Sequence, residues 1–68
     1  MEYGICYYTF APLRAEPSEQ TEMVSQILFG EHVEILQHDN DKTYSLVKNS
    51  FDSYEGWCKR NQLTIISL

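Results

Sequence analysis

Six short runs of β-branched, aromatic and aliphatic residues recur along this chain, separated by stretches rich in Gly, Pro, Asn, Asp or Ser. Runs of this length, at roughly 8–12-residue spacing, favour a small sandwich or barrel over a helical fold. The chain has 68 residues, enough for one domain. A domain of this size buries only about 60% of its unfolded surface. A binding face, or a rim lent to a neighbour, is easier to build on that scale than a cleft walled on every side.

Residues 3–10 (YGICYYTF) read as the first strand. Pro12 ends it or confines it to a sheet edge, because proline cannot donate to a ladder. Residues 12–22 form a polar loop with a turn at Pro17-Ser18-Glu19-Gln20. Residues 23–29 (MVSQILF) are apolar enough for a strand closed by Gly30; a helix is the competing reading, since seven residues do not separate the two periods. Residues 32–37 alternate, with Val33 and Ile35 on one face and Glu34 and Leu36 on the other. Residues 43–48 alternate again, with Tyr44 and Leu46 sharing a face. A polar hairpin loop falls at 38–42 and another turn-rich segment at 49–53. Residues 54–59 form a further strand, in which Gly56 marks either a bulge or a close backbone approach. A tight turn at 59–62 leads to a last strand at 63–68. The expected fold is all-β, a small barrel of five to six short antiparallel strands, in which closure removes most exposed edges.

Ten acidic and five basic residues give a net charge of −5. Phosphate binding needs clustered Lys and Arg, so nucleic acid and anionic membrane surfaces are poor partners for such a chain. A ligand with a free amine or a basic partner face fits better, and solubility alone is the plainer explanation. No apolar run reaches membrane-spanning length. The two cysteines do not make a disulfide framework. The N-terminus, MEYGICYY, lacks the basic region of a signal peptide. The expected location is the cytoplasm, with reduced thiols.

Candidate chemistry is sparse. Cys6, His32, His38 and Cys58 would all have to converge to hold a structural zinc ion. The plainer reading is two surface histidines and two small apolar strand residues, and no metal or cofactor is expected. A Cys58–His dyad lacks the cleft that a nucleophile needs, although Lys59 and Arg60 follow it. Carboxylates are abundant, but most fall in loops, where a solvated acidic surface explains them. There is no glycine-rich phosphate loop and no G-x-S-x-G. The chain therefore reads as non-enzymatic. Its aromatic residues stand out more: Tyr54 and Trp57 bracket Glu55-Gly56. Both residue types are amphipathic and enriched at binding sites. Positions 54 and 57 have opposite parity along a strand, so a bulge at Gly56 would be needed to bring both to one face. Otherwise Trp57 is simply the largest core or rim residue.

Leu13-Arg14-Ala15-Glu16-Pro17-Ser18, the run from Met23 to Glu31, the stretch from His32 to Leu36 and Tyr54-Glu55-Gly56-Trp57 follow in a telling order. That order resembles the bacterial Src homology 3-like domain, above all the version that opens NlpC-type gamma-D-glutamyl-L-diamino-acid endopeptidases of the dipeptidyl-peptidase VI kind. The resemblance covers about Tyr3 to Leu63. It implies that residues 1–68 form a single barrel, and that a C-terminal NlpC-type peptidase domain outside this chain supplies a Cys and two His. Neither Cys6 nor Cys58 matches that nucleophile, so no catalytic residue carries over. The implied role is docking and substrate gating, restricting cleavage to short murein peptides with a free N-terminal L-alanine. The family's substrate-contacting Tyr matches Tyr54; Glu55, Trp57 and Glu22 complete the candidate ligand set. The family's acidic position falls on Val24, with Glu22 nearby, and Tyr44 stands where many such domains carry Trp. The alternatives are an independent peptide- or cell-wall-binding module and a purely structural interaction domain.

Overall fold

The computed structural model describes residues 2–40, 43–51 and 53–67. Seven antiparallel strands form one sheet: β1 (Glu2–Cys6), β2 (Phe10–Arg14), β3 (Met23–Leu28), β4 (His32–His38), β5 (Tyr44–Asn49), β6 (Glu55–Lys59) and β7 (Leu63–Ser67). A 3-10 turn, Arg60–Gln62, joins the last two. The strand order is β3-β2-β6-β5-β4-β1-β7. All seven strands send residues into one core of Cys6, Ala11, Leu13, Ile27, Val33, Ile35, Val47, Cys58 and Leu63. A single sheet that encloses its own inner face in this way is a small barrel.

The period-2 pattern explains most of the elements. In β4, Val33 and Ile35 point inward while Glu34 and Leu36 point away, as their alternation requires. In β5 the inward residues are Ser45, Val47 and Asn49, so Tyr44 and Leu46 share the opposite face. The 23–29 run is a strand, not a helix. It ends at a turn where Gly30 adopts φ +85°, a left-handed conformation open to glycine. The hairpin loop after His38 is closed by Asp39, whose backbone N–H donates to the Tyr44 carbonyl (3.0 Å) and whose carboxylate accepts from the Tyr44 N–H (3.2 Å). Asp41 and Lys42, also placed in that loop, and Asp52 and Leu68 lie outside the described residues.

The strand expected over 3–10 is in fact two. The chain breaks at residues 7–9, and β2 resumes at Phe10. Tyr7 and Tyr8 favour strands by type, but here they turn outward, and the Tyr7 hydroxyl donates to the Asn61 carbonyl. Pro12 does not end the strand either; it lies inside β2. β2 pairs fully with β3 but meets β6 at one register pair, Arg14↔Trp57, in keeping with a proline-bearing strand that cannot sustain ladders on both edges.

Gly56 is a close approach and not a bulge. β6 pairs with β5 in unbroken register from Tyr44↔Lys59 to Lys48↔Glu55. A Cβ at Gly56 would lie 2.8 Å from Leu13 Cβ, 3.3 Å from the Arg14 carbonyl oxygen and 3.3 Å from Val24 Cγ2. The missing side chain is the notch into which the β2–β3 hairpin packs. The register shifts lie elsewhere, at Leu13/Arg14 and between Ile35 and Gln37.

Candidate functional site

Asn49 builds the loop between β5 and β6. It is 2% exposed, and its amide and carbonyls are spent on the turn. Its N–H donates to the Tyr54 carbonyl (2.8 Å), its own carbonyl accepts from the Ser53 N–H (2.8 Å), and Oδ1 accepts from the Phe51 N–H (2.9 Å). A buried amide satisfied in this way fixes the loop that surrounds it. Ser53 absorbs the reversal at φ +62°. The outcome is a hydrogen-bonded reversal that delivers Tyr54 just ahead of β6, half-exposed at 51%.

The four candidate residues fall into two places. Glu55 opens β6, exposed and opposite Lys48. Trp57 lies two residues on, on the same outward face, half-buried between Leu46 of β5 and Arg14 of β2. It is therefore neither a core residue nor brought to Tyr54 by a bulge; Tyr54 lies before the strand and escapes its parity. Glu22 is exposed at the base of the β2–β3 loop, where its carbonyl accepts from the Ala15 N–H (3.0 Å). Arg14 links the two places, pairing with Trp57 on one side and with Met23, the neighbour of Glu22, on the other. Val24 packs against the core and closes the Gly56 notch, so position 24 supplies packing in this chain.

Another carboxylate of the same loop is engaged. Glu19 forms an ion pair with Lys59. The ammonium of Lys59 holds the Glu19 carboxyl below its ordinary range, and Glu19 in turn raises Lys59.

The candidates for metal and nucleophilic chemistry are dispersed. Cys6 and Cys58 are free thiols on the core face. Burial, with Cys6 as a lesser cause, pushes the Cys58 thiol up to about 12, which removes the thiolate a nucleophile needs. His32 is exposed on β4. His38 is held between Ser45 Oγ (2.6 Å at Nδ1) and Glu2 Oε1 (3.0 Å at Nε2). These are the residue types and distances of a hydrolase relay, but Ser45 is 0% exposed and no substrate reaches its hydroxyl. The row fastens β1, β4 and β5 to one another. Sequence reasoning missed it, along with Asn49, whereas the close approach at Gly56 was one of the two readings open there. The 36-residue separation of Glu2 from His38 leaves no local signal, whereas the position of Asn49 at the mouth of a turn-rich segment was a readable one.

A family described as the bacterial dipeptidyl-peptidase Sh3 domain matches residues 13–63, from within β2 to the first residue of β7. No curated protein matches the chain.

Proposed function

The chain belongs to the bacterial dipeptidyl-peptidase Sh3 domain family and is a non-catalytic, peptidase-associated accessory domain; from that premise we propose that it docks on an NlpC-type cysteine peptidase module of the same parent protein and gates its substrate. In this reading the parent is a cytoplasmic endopeptidase of murein-peptide recycling. The barrel helps select short peptides that begin with a free L-alanine. Tyr54 lines the entry to the peptidase site, Glu55 or Glu22 attracts the peptide ammonium, and Trp57 walls the approach.

One observation carries the reading. Tyr54 is a half-exposed aromatic whose backbone is fixed by a buried amide. An aromatic residue whose backbone is fixed and whose side chain is half-exposed suits contact with a ligand or a neighbouring module. The acidic balance of the chain agrees with an amine-bearing ligand.

The test is Tyr54→Phe in the parent enzyme. Loss of one hydrogen bond to substrate should lower kcat/KM for free-amine murein peptides by about tenfold. The same substitution should leave N-acetylated peptides unaffected. Equal kinetics for wild type and variant on both substrates would remove Tyr54 from the site.

A further inference from the structure

The β2–β3 hairpin is divided by its own register. Leu13 faces Ser25 and Arg14 faces Met23, so the pairing slips at Val24. A slip of this kind bends the strand that carries it. On the body side of the bend the hairpin is fixed, because Leu13 and Val24 sit in the Gly56 notch. Beyond the bend, residues 15–22 bond to one another. The Ala15 N–H donates to the Glu22 carbonyl (3.0 Å) and the Ser18 N–H to the Glu16 carbonyl (2.7 Å). Thr21 Oγ1 accepts from the Glu16 N–H (3.4 Å), and Ser18 Oγ accepts from the Gln20 N–H (3.1 Å). Arg14, at the bend itself, donates from Nη1 to the Thr21 carbonyl (3.2 Å), a bond within the same hairpin. A tip bonded in this way moves as a unit.

Among the described residues, the bond that ties this tip to another strand is the ion pair of Glu19 with Lys59 of β6. Both side chains are solvated, at 64% and 35% exposure, so the tie is weak and sensitive to salt. Beneath it lies a hollow of about 60 Å³ lined by Pro12, Arg14, Glu19, Tyr44, Lys59 and Gln62. Glu19 is what the tip contributes to that wall, so the residue that latches the tip also closes the hollow.

We propose that residues 15–22 swing as a lid on the Leu13/Arg14 bend, latched shut by Glu19 on Lys59 and released when that pair is screened or discharged. Opening removes the Glu19 wall of the hollow and bares the Lys59 ammonium beside Tyr44. The surrounding groups set the pH range of the latch. Arg14 of β2 favours the Glu19 carboxylate and opposes the Lys59 ammonium, whereas Tyr44 of β5 favours the ammonium. Pro12 and Gln62 carry no charge. The carboxyl of Glu19 is held below its ordinary range and the ammonium of Lys59 above its own, each mainly by the other. The latch is therefore closed through neutral pH and opens as pH falls through the lowered Glu19 value. The lid carries Glu22, but its motion is read without peptidase or substrate, so it stands or falls separately from the gating role.

The test is amide relaxation dispersion on the 68-residue chain at low salt and at about 1 M salt, where the screening length is about 3 Å. The expected result is one common exchange rate for residues 15–22, with the open population rising about two- to fivefold in high salt. Glu19→Gln should give that larger open population at low salt and abolish the salt response. Exchanging the charges, Glu19→Lys together with Lys59→Glu, should restore the closed lid. Should a variant fail to fold, the salt series on the unmodified chain still decides. Unrelated rates among residues 15–22, or no response to salt or to Glu19→Gln, would overturn the proposal. So would equal motion at residues 10–13 and 24–28, since the whole hairpin would then detach instead of bending at Leu13/Arg14.

Discussion

The β5–β6 and β2–β3 hairpins are held to the barrel by different forces. β5 is laddered on both sides, to β4 and to β6, and its loop is pinned by the buried Asn49. The β2–β3 hairpin meets β6 through the single pair Arg14↔Trp57. What keeps it in place is side-chain packing: Ala11, Leu13 and Ile27 enter the core, and Leu13 fills the Gly56 notch. Its loop, residues 15–22, is organised by the partly exposed Thr21, whose hydroxyl lies within reach of the Glu16 and Ser18 carbonyls (3.2 and 3.0 Å). One hairpin is fixed by directional bonds and the other by shape. Tyr54 rides on the first, and Arg14 on the second. The difference matters because a ladder loosens bond by bond, whereas a packed contact is lost as a unit.

Leu13→Ala should reveal the contrast most strongly. Emptying a fully buried leucine position typically costs about 2–5 kcal/mol. If packing is what holds the hairpin, hydrogen exchange at 10–14 and 23–28 should rise well beyond that at β4 and β5. A uniform rise across all strands would erase the distinction. Asn49→Ala should cost less, about 1–3 kcal/mol, because it strips the Phe51 N–H of its acceptor and leaves a gap beside β5. Its signature should be confined to residues 50–55, read as faster exchange and altered Tyr54 shifts, with the β2–β3 hairpin undisturbed. The smallest effect belongs to the Glu19–Lys59 pair, which ties the β2–β3 loop to β6. Glu19 is depressed in the folded state, so its contribution is present above the ordinary carboxylate range and fades as pH falls through the lowered value. Glu19→Gln should therefore leave acid-range Tm nearly unchanged and lower Tm slightly at neutral pH, an effect that salt removes.

Legibility followed the same division. β4 and β5 could be read because a sheet with one buried face imposes period 2 on its sequence, as Val33, Ile35 and Leu46 show. The break at residues 7–9 could not, because the outward turn of Tyr7 depends on Asn61, 54 residues away. The family resemblance identified the class of domain, which the match over residues 13–63 established. It also singled out Tyr54, Glu55, Trp57 and Glu22, whose ligand role rests on the kinetic test above. The parity argument around Gly56 missed because it assumed that Tyr54 belonged to the strand; the Ser53 reversal places it outside. Arg14 was visible as a letter, but its place beside Trp57 and its bond to the Thr21 carbonyl were not, since they are properties of the folded surface.

The position of β1 has a consequence for how the chain is made. β1 lies between β4 and β7, pairing Glu2 through Ile5 with residues 32–35 and Glu2 through Cys6 with residues 63–67. Every other strand except β7 finds a neighbour within the segment from β2 to β6. During synthesis the β2–β3 and β4–β5–β6 units therefore have partners as soon as they emerge. Of the described strands β1 is made first, yet half its ladder is missing until β7 follows. Its aromatic and β-branched residues stay unsheltered while the strands between are made, so within this domain the strand made first is among the last to be seated.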